Sequence, residues 1–129
     1  MVFLFSSSEF LDAYNLAKKY KVNLAWGSDL LFQPQKNTEQ SQFVVKMSQW
    51  FTPFEILKMI TYDNAQMLLL SGERNPYKQG KLGVLEEGAY ADMILVDGNP
   101  LKDLNLIGDP KKNFVLIIKD CLIYKDSIK

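Results

Sequence analysis

Thr52-Pro53-Phe54-Glu55 is the segment that most restricts what this chain can become. Thr52 is a good N-cap, Pro53 suits the first helical position, and Glu55 three residues after the cap can close a capping box. Ile56, Leu57, Ile60 and Leu68 then supply an apolar face, and Gly72 can take the left-handed conformation that ends a helix. A helix over 53–70 is therefore predicted, and the rest of the chain has to be arranged around its buried face.

Upstream, Val2 to Phe5 reads as a short buried strand. Ser6 and Glu9 have capping-box spacing. Phe10, Ala13, Tyr14 and Ala17 follow at helical intervals, and Lys18, Lys19 and Lys21 are suited to the negative end of the helix dipole. Val22 to Trp26 reads as a second strand, ended by Gly27-Ser28-Asp29. Strand, helix, strand suggests a parallel βαβ unit. Gln33 to Gln42 is polar and loop-like, whereas Phe43, Val44, Met47 and Trp50 or Phe51 return to helical spacing. Met47 and Trp50 read as core contacts.

The character changes after Gly72. Glu73 to Tyr77 is rich in turn formers. Short strands are predicted at Lys81 to Leu85 and Met93 to Val96, the second followed by an Asp97-Gly98-Asn99-Pro100 turn. Phe114 to Ile118 and Leu122 to Tyr124 flank Asp120-Cys121 as a hairpin with a two-residue turn. Two units are thus expected, 1–72 and 73–129.

Composition decides what chemistry is open. Hydrophobic residues make up 47% and charged residues 23% of 129, a globular balance. Lys+Arg and Asp+Glu number 15 each, so no net field attracts nucleic acid. No apolar run approaches the roughly 18 residues of a membrane span. Met1 to Phe5 lacks the basic flank and cleavage site of a signal peptide. Cys121 is the single cysteine, which rules out an internal disulfide. The chain contains no histidine. Ser-His-Asp and Cys-His catalysis are therefore closed to it, as is any histidine metal cage.

Four stretches in order carry a resemblance: Val22 to Phe32, Thr52 to Met59, Gly80 to Gly88, and Ala91-Asp92-Met93-Ile94-Leu95-Val96-Asp97-Gly98-Asn99-Pro100-Leu101. Together they resemble the C-terminal portion of the metal-dependent amidohydrolase superfamily, in the Xaa-Pro dipeptidase-like and imidazolonepropionase-related branch. That resemblance implies an α/β fold: the end of a (β/α)8 TIM barrel plus part of a small β-sandwich. Val22 to Trp26 would be the eighth barrel strand, and Lys81 to Tyr124 would lie in the sandwich.

The family's aspartate at the end of that strand matches Asp29, which implies a role as metal ligand and general base. Read from spacing alone, Asp29 is a strand-end turn residue or a helix cap rather than a ligand. Asp92 and Asp97 fall in the sandwich and read as structural. The resemblance implies a divalent metal, zinc in particular, and hydrolysis of a C–N bond, as in a dipeptide or cyclic amide. The family's histidine ligands lie on earlier strands, and one carboxylate cannot replace them. An isolated chain is expected to be inactive and to bury 22–26 and the 43–70 face by self-association. A two-chain enzyme and a non-catalytic interaction module remain open. Lys21 and Asp120-Cys121 stand where the family commonly has glycine and Asp-Gly, positions that call for positive φ.

Overall fold

The computed structural model describes residues 7–30 and 32–128, with side chains from residue 11 onward. The strand expected at Val2 to Phe5 and the Ser6 cap lie outside these residues, as does the side chain of Phe10. Six α-helices occur among the described residues: α1 (Ser7–Lys19), α2 (Gln40–Lys46), α3 (Pro53–Lys58), α4 (Asn64–Leu69), α5 (Asn105–Gly108) and α6 (Pro110–Asn113). Three strands, β1 (Met93–Val96), β2 (Phe114–Lys119) and β3 (Leu122–Asp126), form one antiparallel sheet in the order β1-β2-β3. The protein is thus a mixed assembly of helices with a small antiparallel sheet.

The capping box forms as expected. The Thr52 hydroxyl accepts from the Glu55 N–H at 3.3 Å, and Glu55 Oε2 accepts from the Thr52 N–H at 2.8 Å. Lys18, at the end of α1, donates to the Trp50 carbonyl at 3.1 Å and pairs with Glu55 at 3.2 Å. Its ammonium also lies 4.6 Å from the centre of the Phe51 ring. One lysine therefore ties two helix ends together.

These contacts hold the Glu55 carboxyl below its usual range, chiefly through the hydrogen bond from the Thr52 backbone N–H. A carboxyl depressed in the folded state adds stability above its unfolded pKa and loses it as pH falls through the lower folded value. The wild type is expected to lose stability on acidification below the ordinary glutamate value, and Glu55→Gln to show a smaller loss over that interval. Denaturant midpoints across the acid range check this. Identical acid slopes would show that Glu55 does not contribute.

Residues 53–69 run as one continuous helical rod, but α3 and α4 are joined by a π-helical turn, Met59–Asp63. Such a turn takes more residues than an α turn and changes the phase of everything after it. Ile56, Met59 and Ala65 are buried, while Leu68, expected inside, is 38% exposed. Gly72 has φ 55, the left-handed value predicted for the helix end.

The core gathers Val44 and Phe51 with Ile56 and Met59, and adds Leu104, Ile107 and Phe114 from the second half of the chain. Tyr14 of α1 stacks edge-on against Phe51 at 4.9 Å between ring centres. The Val44, Phe51, Ile56 and Met59 part of the 43–70 face is therefore covered within the chain, while Met67 to Leu70 stay exposed. Residues Gln33 to Gln42 are not a plain loop: a 3₁₀ helix, Pro34–Glu39, leads directly into α2. Helices α5 and α6 escape the hydrophobic pattern because each is only four residues long. Asp109 caps α6 by accepting from the Lys112 N–H at 3.2 Å.

The hairpin is as predicted. Lys119 pairs with Leu122, which leaves Asp120 and Cys121 as a two-residue turn with φ 50 and 63. Lys21 likewise sits at φ 53. Lys81 to Leu85, by contrast, is not a strand. Gly83 has φ 72 and passes so close to the π turn that a Cβ there would lie 2.6 Å from the Thr61 carbonyl oxygen. A segment pressed against a helix backbone in this way cannot also join a ladder.

Candidate functional site

Val22 to Leu30 is neither helical nor paired with a strand among the described residues, so the expected strand is absent as a ladder element. Its side chains still alternate. Leu24, Trp26, Ser28 and Leu30 are partly or fully buried, while Asn23, Ala25, Gly27 and Asp29 are exposed. Leu24 and Trp26 pack against the core, which leaves the opposite side uncovered.

In place of a neighbouring strand stands a side chain. Asn64, at the start of α4, accepts the Trp26 N–H at 2.8 Å through Oδ1. Its Nδ2 donates to the Trp26 carbonyl at 3.1 Å. One planar amide therefore makes both hydrogen bonds that a paired strand residue would make. The clue in the sequence was a polar, helix-indifferent residue on the stripe Ile56, Ile60, Asn64, where a partly buried amide must find partners.

Asp29 lies three residues beyond that clamp. Its backbone is left-handed, φ 50, a conformation that costs a residue with a Cβ about 1–2 kcal/mol. Its carboxylate is exposed and makes no hydrogen bond or ion pair with the described residues. Among the described residues no group of three or more His, Cys, Asp or Glu side chains could hold a metal. Zinc takes three or four protein ligands, so the donors among the described residues do not by themselves fit it.

Asp92 is structural, as its place in the sequence suggested. Its Oδ1 accepts the Asp120 N–H at 2.8 Å and so fastens the hairpin turn to the segment before β1. Lys119, 3.7 Å from Asp92, has its ammonium pKa raised chiefly by its hydrogen bond to Asp120. The Asp97 N–H donates to the Asn113 carbonyl at 2.8 Å, a backbone role. A cleft of about 390 Å³ opens between α4 and residues 75–86. Its polar lining is Gln66, Asn75 and the exposed Lys81–Glu86 pair at 2.7 Å, with the Tyr62 and Tyr77 rings beside them. Sequence reading missed this cleft, because it arises only when the 75–86 segment folds back on α4. No helix among the described residues is long and apolar enough to cross a membrane.

No protein-family model matches the sequence, and no curated relative does. Solved structures do match. An amidohydrolase superposes with a TM-score of 0.74 at 27% identity, over 92% of this chain and 26% of its own. A prolidase, solved with N-methylphosphonate-L-proline, gives 0.74 at 25% identity, over 90% of this chain and 26% of its own. The ochratoxinase of A. niger gives 0.73 at 24% identity, over 93% of this chain and 25% of its own, a likeness of fold alone. The chain thus spans about a quarter of the length of the structures it matches. Its similarity, nearly end to end, is to hydrolases of the amidohydrolase superfamily, consistent with a C-terminal piece of such an enzyme.

Proposed function

We propose that this chain provides the last strand position and closing helices of a (β/α)8 amidohydrolase barrel (1–72), together with strands of its small β-sandwich (73–129). Asp29 is then the residue of this chain that takes part in C–N bond hydrolysis. The observation that carries this reading is the alternation of 22–30. The side bearing Leu24 and Trp26 meets the helices, and the side bearing Asp29 is left free, as the interior of a barrel would require.

Surface area supports a missing body. The chain exposes 10032 Å², against roughly 7,000 Å² for a compact monomer of this size. The exposed apolar residues include Leu16, Tyr20 and Val22 around the end of α1, and Leu69 and Leu70 at the end of α4. On the sheet, Met93 and Leu95 adjoin Leu116, Ile118 and Ile123 across the strands, on the side opposite Val96 and Ile117. These surfaces, with Val22 to Trp26, are where the chain associates, either with itself or with a histidine-bearing remainder. The buried part of the 43–70 face, Val44, Phe51, Ile56 and Met59, takes no part.

The chain alone is inactive on this reading, because the zinc ligands it lacks come from outside it. The chemistry of Asp29 is that of a carboxylate accepting a proton from water. The bond cleaved is an amide, of the dipeptide or cyclic-amide class. A non-catalytic interaction module is the competing reading, and it requires no role for Asp29.

The test is reconstitution. Mixed with a polypeptide carrying the histidine-bearing part of a related barrel, and with zinc, the chain is expected to restore hydrolysis of an Xaa-Pro dipeptide or cyclic-amide probe. Asp29→Asn is expected to lower kcat by about a hundredfold or more in the same folded complex. A folded complex without hydrolysis, or one indifferent to Asp29→Asn, would remove this reading.

A further inference from the structure

Asp29 is held in place from a distance. Between Trp26 and Leu30 the backbone has little support of its own. A Cβ built on Gly27 would meet nothing within 4 Å. Leu30 is buried, and its carbonyl accepts the Gln33 N–H at 3.0 Å, which anchors the far side. The near side is held by the Trp26 ring against the core and, at the backbone, by both hydrogen bonds from Asn64. The left-handed Asp29 sits between these two fixed points, and a conformation of that kind persists only where its surroundings over-determine it.

We propose that Asn64 is a positioning residue for Asp29. By gripping both polar groups of the Trp26 peptide, it sets the register and direction of 26–29 and so aims the Asp29 carboxylate away from the helices. The proposal rests on the reading of Asp29 as the chemically active residue of this chain. The π turn at Met59–Asp63 belongs to the same device, because it immediately precedes Asn64 and sets the angle at which its amide leaves the helix.

Asn64→Leu in the full chain, labelled for NMR, keeps the number and branching of the side-chain heavy atoms and removes both hydrogen bonds. Exchange of the Trp26 amide is expected to speed up about tenfold or more. The residual dipolar couplings of the Ser28 and Asp29 amides are expected to change, while the Ile56 and Met59 methyl resonances stay in place. Unchanged couplings at Ser28 and Asp29 beside a deprotected Trp26 would overturn the proposal. Should Asn64→Leu not fold, Asn64→Asp keeps the acceptor for the Trp26 N–H. Its Trp26 amide is expected to stay protected and its Asp29 couplings to move less far, whereas no movement would again overturn it.

These measurements need neither metal nor substrate, so their failure leaves the chemistry of Asp29 untouched. A reconstituted enzyme that proves inactive sinks that chemistry and not the clamp. In an active complex, Asn64→Asp is expected to lower kcat tenfold to about a hundredfold with KM nearly unchanged, since misplacing a reacting group costs rate more than binding. A change in KM alone would speak for a packing role and against positioning.

Discussion

Gly83→Ala is expected to destabilise the chain by about 3 kcal/mol or more, the sum of a left-handed backbone and an overlap that needs the backbone to move. The methyl group would lie 2.6 Å from the Thr61 carbonyl oxygen, 2.7 Å from its carbon and 2.9 Å from the Tyr62 Cα. All three are backbone atoms of the π turn, so no flexible side chain can swing aside. Gly88 provides the control. It also has positive φ, 82, but a Cβ there meets nothing within 4 Å. Gly88→Ala should therefore cost only the conformational part, about 1–2 kcal/mol. The difference in denaturant midpoint between the two variants measures the close approach of residues 81–85 to the helix. Equal midpoints would mean that this approach contributes nothing.

Ile56→Ala should cost about 3–4 kcal/mol, within the range seen when a large aliphatic side chain is removed from a core. Ile56 is 1% exposed and is the largest side chain buried so completely among the described residues. It lies where the first half of the chain meets Leu104, Ile107 and Phe114 from the second. The cavity would open within the core that the two halves share. Total stabilities of single domains run at about 5–15 kcal/mol, so the variant should be largely unfolded at modest denaturant. Heat or urea unfolding followed by tryptophan fluorescence reads the loss, since Trp26 and Trp50 both pack against this cluster. A cost below about 1 kcal/mol would show that the common core does not bind the two halves together.

Local signals were legible wherever a short run of sequence was sufficient to satisfy its own backbone. The capping box at Thr52 and Glu55 needs four residues, and it formed as read. The Asp120-Cys121 turn needs two strands of matched length and two left-handed residues, and it formed at φ 50 and 63. The resemblance carried by the four stretches is matched by a likeness to amidohydrolase structures. No scan for a single residue type could find the partner of Trp26, because the two residues are 38 positions apart and meet only when α4 lies along the 22–30 segment.

What this sequence determined by itself was set by local hydrogen bonding and by composition. The helix start at Thr52, the final hairpin and the absence of any histidine chemistry belong there. Tertiary structure decided the rest. It left 22–30 without a ladder, because a strand exists only when another segment supplies its hydrogen bonds. It turned Lys81 to Leu85 from a strand into a segment pressed on a helix, because Gly83 could approach the backbone of Thr61. It moved Leu68 to the surface, because a π turn shifted the phase of the helix. It also left Asp29 on the exposed side of a segment whose other side, Leu24, Trp26, Ser28 and Leu30, is partly or fully buried.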